Sequence, residues 1–508
     1  MPLDANQADL RLAVVGSGVM GRGIAQIAAQ AGIQVSLYDA RPGGAAEAKR
    51  QLEEVFQRLA EKGKLSMDAA RAAGARLQVV QSLKDLAGCH VVVEAIIENL
   101  EAKQALFAEL EGIVGDDCVL ASNTSSLSVT AIAARLKRPQ RVAGFHFFNP
   151  VPLMKIVEVV DGLLTDPAVS AFLLALGGRM GHTAVRAKDT PGFIVNHAGR
   201  GYGTEALRIL AEGVAEFYEV DRILRDTAGF KLGPFELLDL TALDVSHPVM
   251  ESIYNQYYQE PRFRPQPLTR QMLAAGLLGR KVGRGFYRYD NGTQERFPEQ
   301  PASTARPQQV WISPLRPKLR ERVAELVTQL GGVIDDGAVP TPNSLCVVTP
   351  LGEDATTLAT RDNLDPACTV AVDALLDMAK RRVVMTTPVT LPEYREAARG
   401  LFGADGVPVS VIRDSAGLVA QRVIATIVNI ACDIAQQRIA APADIDRAVT
   451  LGLGYPHGPL AWGDRLGPRI VLAILENLQA FYGDPRYRPS PWLKRRALLG
   501  VSLLTDEE

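Results

Sequence analysis

Residues 121–161, ASNTSSLSVTAIAARLKRPQRVAGFHFFNPVPLMKIVEVVD, hold the side chains best suited to acid–base work. They include a hydroxyl cluster (Ser122, Thr124, Ser125, Ser126), a histidine closing an apolar run (His146) and a carboxylate inside another (Glu158). A carboxylate beside an imidazole fixes its tautomer, favours its charged form and makes it a better base. That pairing suits removal of a proton from an alcohol. The same residues also fit a plainer arrangement, a core histidine bound to a backbone carbonyl and an edge glutamate facing water.

The elements that carry the pair decide between these. Residues 141–148 alternate and are rich in Val and Phe, so they read as a strand. Asn149-Pro150 signals a turn. Residues 153–160 read as a second strand with Met154, Ile156, Glu158 and Val160 on one face. A hairpin-like return would bring His146 and Glu158 together although they lie twelve residues apart (158 − 146).

A second chemistry is written at the N-terminal end. A short apolar strand, 10–15, runs into Gly16-Ser17-Gly18-Val19-Met20-Gly21, followed by helical spacing of Ile24, Ile27, Ala28 and Ala31. A second strand, 35–38, ends on Asp39. This is the strand, glycine loop, helix, strand, acid order of a dinucleotide-binding fold. Gly16 permits the tight turn, Gly18 lets backbone approach a pyrophosphate, and Gly21 lets helix pack close on strand. Unpaired N–H groups at the helix start face the phosphates. Asp39, eighteen residues after Gly21 (39 − 21), can accept from both ribose hydroxyls and repel a 2′-phosphate, which favours NAD, with Arg41 nearby as the opposing feature.

Composition narrows the partners. A net charge of −2 offers no field for nucleic acid or an anionic membrane, so an anionic ligand must be met by local basic groups. The five cysteines are scattered and form no CxxC pair, which argues for reduced thiols and no structural zinc. The start has no basic segment leading into an apolar one, and no apolar run is long enough to span a bilayer. A cytoplasmic protein is expected.

A chain of 508 residues has length for three or four domains. Residues 1–187 alternate strand and helix, with polar chemistry at strand C-terminal ends, as in an α/β Rossmann-type domain. Residues 188–290 read as an all-α domain. Pro298, Pro301, Pro307, Pro314 and Pro317 mark 291–317 as a linker. Residues 318–413 read as a smaller, degenerate α/β domain without a phosphate loop, and 414–508 as a second all-α copy. The repeat is explicit: Asp189-Thr190-Pro191-Gly192 matches Asp414-Ser415-Ala416-Gly417 at an offset of 225 (414 − 189). The same step carries Asp221 to Asp446, Asp239 to Asp464 and Asn196 to Gln421, so the second copy keeps the scaffold and loses the asparagine.

Together these residues resemble the 3-hydroxyacyl-CoA dehydrogenase family, in its long bacterial type with a duplicated C-terminal domain. The motifs are GSGVMG at 16–21, VVVEAIIENLEAK at 91–103, SNTSSL at 122–127, HFFNPVPLMKIVEVV at 146–160, KDTPGFIVN at 188–196, GPFELLDL at 233–240 and KVGRGFY at 281–287. DSAGLVAQR at 414–422 and LGLGYPHGPLAWGD at 451–464 resemble the extra domain of phenylacetate-pathway members, which are described as acting on 3-hydroxyadipyl-CoA, with 3-hydroxybutyryl-CoA enzymes close by.

The resemblance implies NAD-dependent oxidation of an (S)-3-hydroxyacyl-CoA to the 3-oxoacyl-CoA. It implies His146 as general base, Glu158 as its orienting partner, and Ser125 and Asn196 on the substrate's 3-oxygen or thioester carbonyl. Cofactor contacts would come from Gly16, Gly18, Val19, Met20, Gly21, Asp39, Ala95, Glu98, Lys103, Ser125, Asn149 and Lys281, and CoA contacts from Lys62 and Ser125; no metal is implied. Two other classes remain: a lysine-based β-hydroxyacid dehydrogenase, against which the HFFNP–glutamate pair argues, and a non-catalytic structural homologue. The repeat further suggests a monomer with an internal pseudo-dimer, the alternative being a homo-oligomer.

Overall fold

A computed structural model describes residues 4–507. They fall into two compact units, one made of the chain up to His197 together with Gln437–Leu453, the other of Ala198–Gln436 and the residues from Gly454 onward.

The first unit is built on β1 (Arg11–Val15), β2 (Gln34–Tyr38), β3 (Leu77–Val79), β4 (Val91–Glu94), β5 (Val119–Ser122), β6 (Val142–Phe147), β7 (Ile156–Asp161) and β8 (Thr183–Lys188). The sheet order is β3-β2-β1-β4-β5-β6-β7-β8. Only β6 and β7 run antiparallel to each other. Strands β4, β5 and β6 are buried throughout, as a sheet covered on both faces requires. The chain order reverses between β1 and β4, which places a ligand crevice at their C-terminal ends.

The strand expected over 153–160 starts late. The N–H groups of Leu153 and Met154 both donate to Pro150 O, at 2.9 and 3.0 Å, so the residues after Pro150 turn and β7 begins at Ile156. Its register against β6 pairs His146 directly with Glu158.

In the second unit, helices Arg200–Ala211, Phe217–Ala228, Pro234–Thr241, Leu243–Gln256 and Pro267–Ala274 form the first helical copy. A hairpin of β9 (Tyr289–Asp290) and β10 (Thr293–Gln294) follows. Next come β11 (Val310–Ile312), β12 (Ile334–Asp335), β13 (Leu345–Val348), β14 (Thr369–Val372), β15 (Arg382–Thr386) and β16 (Val409–Ile412), in the order β12-β11-β13-β14-β15-β16. The antiparallel β14–β15 pair followed by parallel β16 repeats the β6–β7–β8 pattern.

Two expectations need correcting. The linker reading of 291–317 includes β11, which lies between β12 and β13 in the second sheet. Three β-forming residues between Pro307 and Pro314 are too few to register a period, and the prolines flank the strand without interrupting it. The preceding stretch is also anchored: Phe297 stacks on Tyr218 with ring centroids 4.2 Å apart, and Glu299 accepts from Arg381 at 2.5 Å. Second, 414–508 is not one self-contained helical domain. Helix Pro442–Leu453 belongs to the first unit, where Ile445, Ala448 and Val449 on its apolar face are fully buried and the helix lies on β7 and β8.

The repeat is visible in the hydrogen bonds. Asp189 accepts from Val129 N and Thr130 N at 3.1 and 2.8 Å, and Asp414 accepts from Ala355 N and Thr356 N at 2.8 and 3.1 Å, each at the start of a helix. Lys188 N donates to Ile439 O at 2.8 Å and Arg413 N to Val214 O at 3.0 Å, the same bond with both partners moved by 225 (413 − 188, 439 − 214). Each copy's connection between its first two long helices is thus exchanged onto the other copy's strand.

Candidate active site

The glycine loop has the shape its residue types demand. Gly16 has φ +97°, and a Cβ there would meet Ala95 O at 2.5 Å; a Cβ on Gly21 would lie 1.8 Å from Gly16 O. Gly18 has nothing within 4 Å of its Cβ position, so it is the glycine left open to a ligand. Helix Val19–Gln30 starts here without a side-chain cap, its first N–H groups available to an anion. Asp39 Oδ2 accepts from Ser17 N at 2.8 Å and Ser17 Oγ at 2.5 Å, while Oδ1 accepts from Arg41 N at 2.9 Å. Burial opposes its charge, but the Ser17 and Arg41 hydrogen bonds outweigh it and hold the carboxyl below its usual range. Arg41 itself reaches Glu47, 3.2 Å away at the surface. The loop, the free helix start and the charged Asp39 fit a dinucleotide with an unmodified ribose.

On the adjoining strands, His146 is 4% exposed and its Nδ1 lies 2.6 Å from Glu158 Oε2. Glu158 is fully buried, and its other oxygen accepts from Ile194 N at 3.0 Å and Val195 N at 2.9 Å. Those two N–H groups are aimed by a left-handed pair, Gly192 at φ +79° and Phe193 at φ +48°. A bulky residue there costs on the order of 1–3 kcal/mol. The second copy keeps the same pair in Gly417 and Leu418, at +77° and +50°, so the strained turn belongs to the scaffold. The rings of Phe148 and Phe193 flank the imidazole at centroid distances of 4.3 and 5.7 Å. With Nδ1 committed to Glu158, Nε2 is the nitrogen through which the ring can act.

The hydroxyl cluster is organised by acids. Glu98 Oε1 accepts from Thr124 Oγ1 at 2.7 Å, Ser125 N at 2.9 Å, and Ser126 N and Oγ at 3.0 and 2.9 Å. Burial raises its pKa, but the Lys103 charge and these donors prevail and leave it lowered. Lys103 is 1% exposed, with Nζ 2.5 Å from Glu94 Oε1 and 3.3 Å from Glu98 Oε2. Its ammonium is therefore committed to two carboxylates and not presented to a ligand; it holds Glu98, and through Glu98 the loop of Ser125. Ser125 Oγ stands 3.4 Å from Glu98, a long contact that leaves the hydroxyl able to turn.

Asn196 is half-buried in helix Val195–Ala198, directly after the two N–H donors that clamp Glu158. Asn149 is exposed and, with Val19, Arg22, Arg58 and Leu153, lines a groove of about 640 Å³. Lys62 is exposed at the C-terminal end of helix Gly44–Glu61, one turn beyond Arg58. Lys281 lies in the second unit, where it pairs with Asp244.

Two residues were passed over in the sequence. Glu94, fully buried, accepts from Lys103, Ser122 Oγ and Ile96 N; the signal was a carboxylate at the end of Val91-Val92-Val93. Asn123 Oδ1 accepts from Phe147 N at 2.9 Å and ties the hydroxyl loop to the strand of His146.

The second copy lacks this constellation. Asp373 N donates to Val383 O just beyond the paired registers, which puts Asp373 and Val383 where the first sheet has His146 and Glu158. Gln421 Nε2 donates to Asp373 Oδ1 at 2.9 Å and to Pro350 O at 3.0 Å, and its Oε1 accepts from Gly352 N at 3.1 Å. The amide thus fills the space with internal hydrogen bonds.

A mostly parallel sheet with a glycine loop at its switch point, carrying a carboxylate-bound histidine two strands from the reversal, defines a dinucleotide-dependent dehydrogenase. The family comparisons specify which kind. Residues 11–190 match the model of the 3-hydroxyacyl-CoA dehydrogenase NAD binding domain, and residues 192–289 and 417–502 that of the 3-hydroxyacyl-CoA dehydrogenase C-terminal domain. The 3-hydroxyadipyl-CoA dehydrogenase of Escherichia coli (strain K12) is 40% identical over 96% of this chain and 97% of its own. A probable 3-hydroxybutyryl-CoA dehydrogenase of Bacillus subtilis (strain 168) is 41% identical over 56% of this chain and 98% of its own. A solved structure of 3-hydroxybutyryl-CoA dehydrogenase from Escherichia coli K12 superposes with a TM-score of 0.86 at 37% identity, covering 97% of this chain and 99% of that one.

The chain belongs to the 3-hydroxyacyl-CoA dehydrogenase family. It is an NAD-dependent oxidoreductase of that type. No helix among the described residues is long and apolar enough to cross a membrane.

Proposed function

We propose that the protein oxidises the 3-hydroxyl of (S)-3-hydroxyadipyl-CoA, a step of phenylacetate catabolism, with His146 as general base. The observation that carries the mechanism is the 2.6 Å His146–Glu158 contact with Glu158 clamped from behind by two N–H groups. Glu158 holds the Nδ1–H tautomer, so Nε2 takes the hydroxyl proton as the C3 hydride departs, and the imidazolium that forms faces a carboxylate. NAD, when bound, accepts that hydride. Ser125, on the loop fixed by Glu98, and Asn196, beside the Glu158 clamp, hold the 3-oxygen and the thioester carbonyl; such positioning lowers the barrier by pre-organisation.

Gly16 to Gly21, Asp39 and Ala95 hold the cofactor, with Glu98 and Asn149 near its nicotinamide end. Lys103 acts through Glu98. The groove beside Asn149 suits the pantetheine arm of CoA, with Lys62 at its far helix end as a cation for the phosphates.

The adipyl chain is supported by the relative of that name matching both halves of the protein. The butyryl reading is favoured by the full-length solved structure carrying that name. Comparing kcat/KM for the two thioesters decides: a higher value for the adipyl substrate supports the proposal, a higher value for the butyryl substrate replaces it. A cytoplasmic location goes with this reading, since thiols such as Cys346 and Cys368 stay reduced there. The exchanged Lys188–Ile439 and Arg413–Val214 bonds support an internal pseudo-dimer. Light scattering of a monomer agrees with that; an obligate dimer contradicts it.

A further inference from the structure

Helix Pro442–Leu453, supplied by the second copy, lies on β7, which carries Glu158, and on its neighbour β8. Near its end is Gly452. A Cβ placed there would come within 3.0 Å of both Val195 Cγ1 and Cγ2 and 3.6 Å from Ile156 Cγ2. Val195 is the residue whose N–H donates to Glu158 at 2.9 Å, and Ile156 precedes Glu158 by two on the same face of β7. Gly452 thus allows the second copy's helix to rest directly on the side chain of Val195, whose backbone N–H sets the carboxylate.

The glycine is not explained by the helix. Gly454, at φ +66°, supplies the left-handed residue after the helix, whereas Gly452 has no positive φ. The equivalent position in the first copy, 225 residues earlier (452 − 225), is Thr227, a fully helical residue in helix Phe217–Ala228. The repeat therefore tolerates a side chain at this point, and glycine weakens a helix interior relative to alanine. Gly452 meets Val195, whose N–H clamps the histidine-bound glutamate.

We propose that Gly452 is a positioning residue for the acid–base pair, so that the duplicated half, although it lacks an active site of its own, sets the geometry of the one in the first half. Pressure from position 452 displaces Val195 and its N–H, Glu158 follows, and the imidazole loses its alignment. The inference rests on the reading of His146 and Glu158 as the reacting pair.

The test uses the full chain in five forms: Gly452→Ala, Gly452→Val, Val195→Ala, the double variant Gly452→Ala with Val195→Ala, and Leu451→Ala on the exposed side of the same helix. Gly452→Ala, whose Cβ asks Val195 to give by a few tenths of an ångström, should lower kcat about fivefold, and the bulkier Gly452→Val about a hundredfold, the order that an ångström of misplacement carries, with KM for NAD unchanged. Removing the Val195 methyls should restore the double variant to within about twofold of Val195→Ala alone, the coupling a double-mutant cycle isolates. Leu451→Ala should keep the parental kcat. A folded Gly452→Ala with parental kcat, or a double variant no faster than Gly452→Ala, overturns the proposal, and these two arms decide should Gly452→Val fail to fold. Turnover surviving in His146→Gln would instead sink the acid–base reading itself, whatever the position-452 variants do.

Discussion

Replacing Glu158 with glutamine keeps shape and hydrogen-bonding capacity while removing one charge and reversing one donor. Glu158 is fully buried, with one oxygen held by Ile194 N and Val195 N and the other 2.6 Å from His146 Nδ1. The glutamine carbonyl must take the first place, since turning the NH2 toward two N–H donors would orphan both at about 1–3 kcal/mol each. Its NH2 then faces Nδ1 and can only donate, so Nδ1 must accept and the proton moves to Nε2. A ring protonated at Nε2 has no lone pair for the substrate hydroxyl. The expected loss in kcat is about two to four decades, or about 2.7–5.4 kcal/mol of transition-state stabilisation. NADH formation at saturating acyl-CoA measures it, with NAD affinity and the thermal midpoint as controls that should change little. A folded Glu158→Gln protein with kcat within threefold of the parent would refute the tautomer argument.

Asp39→Ala should reduce the preference for NAD over NADP by about tenfold to a hundredfold in kcat/KM, from the loss of about 1.5–3 kcal/mol of charge-assisted hydrogen bonding; an unchanged ratio would mean the ribose is read elsewhere. Lys103→Met leaves Glu94 and Glu98 facing each other without the buried ammonium, and should cost about 3–5 kcal/mol in denaturant unfolding. Asp373 gives a pH test. Burial raises its pKa against the Gln421 and Leu375 donors and the Arg322 charge, and its Oδ2 has no hydrogen-bond partner. A raised acid pKa means the native state holds a proton the unfolded chain has released, so stability falls as pH rises above the ordinary carboxyl range toward the folded value. Asp373→Asn should therefore stabilise the protein at pH 7 and gain less at pH 4; an equal effect at both would exclude this source.

The cofactor half was legible because each residue's task is local. A glycine loop, its strand and helix, and Asp39 lie within 30 residues, and the structure repeats their expected arrangement. The His146–Glu158 pairing was also legible, since the chain returns after Asn149-Pro150 and the alternation of each strand leaves few registers that put the two polar side chains on one face. Long-range pairings were harder to see. Nothing near Lys103 in sequence says that its charge goes to Glu94, and a three-residue strand between prolines looks like a linker until its neighbours are known. The placement of helix Pro442–Leu453 on β7 and β8 is set by an apolar face that any helical bundle could have buried.

The central claim is that Nε2 of His146 takes the hydroxyl proton. His146→Gln, assayed for single-turnover NADH formation with NAD binding measured separately by calorimetry, tests it most directly. The account predicts parental affinity for NAD and a rate lower by about two or more decades. Parental affinity with a parental rate would contradict it.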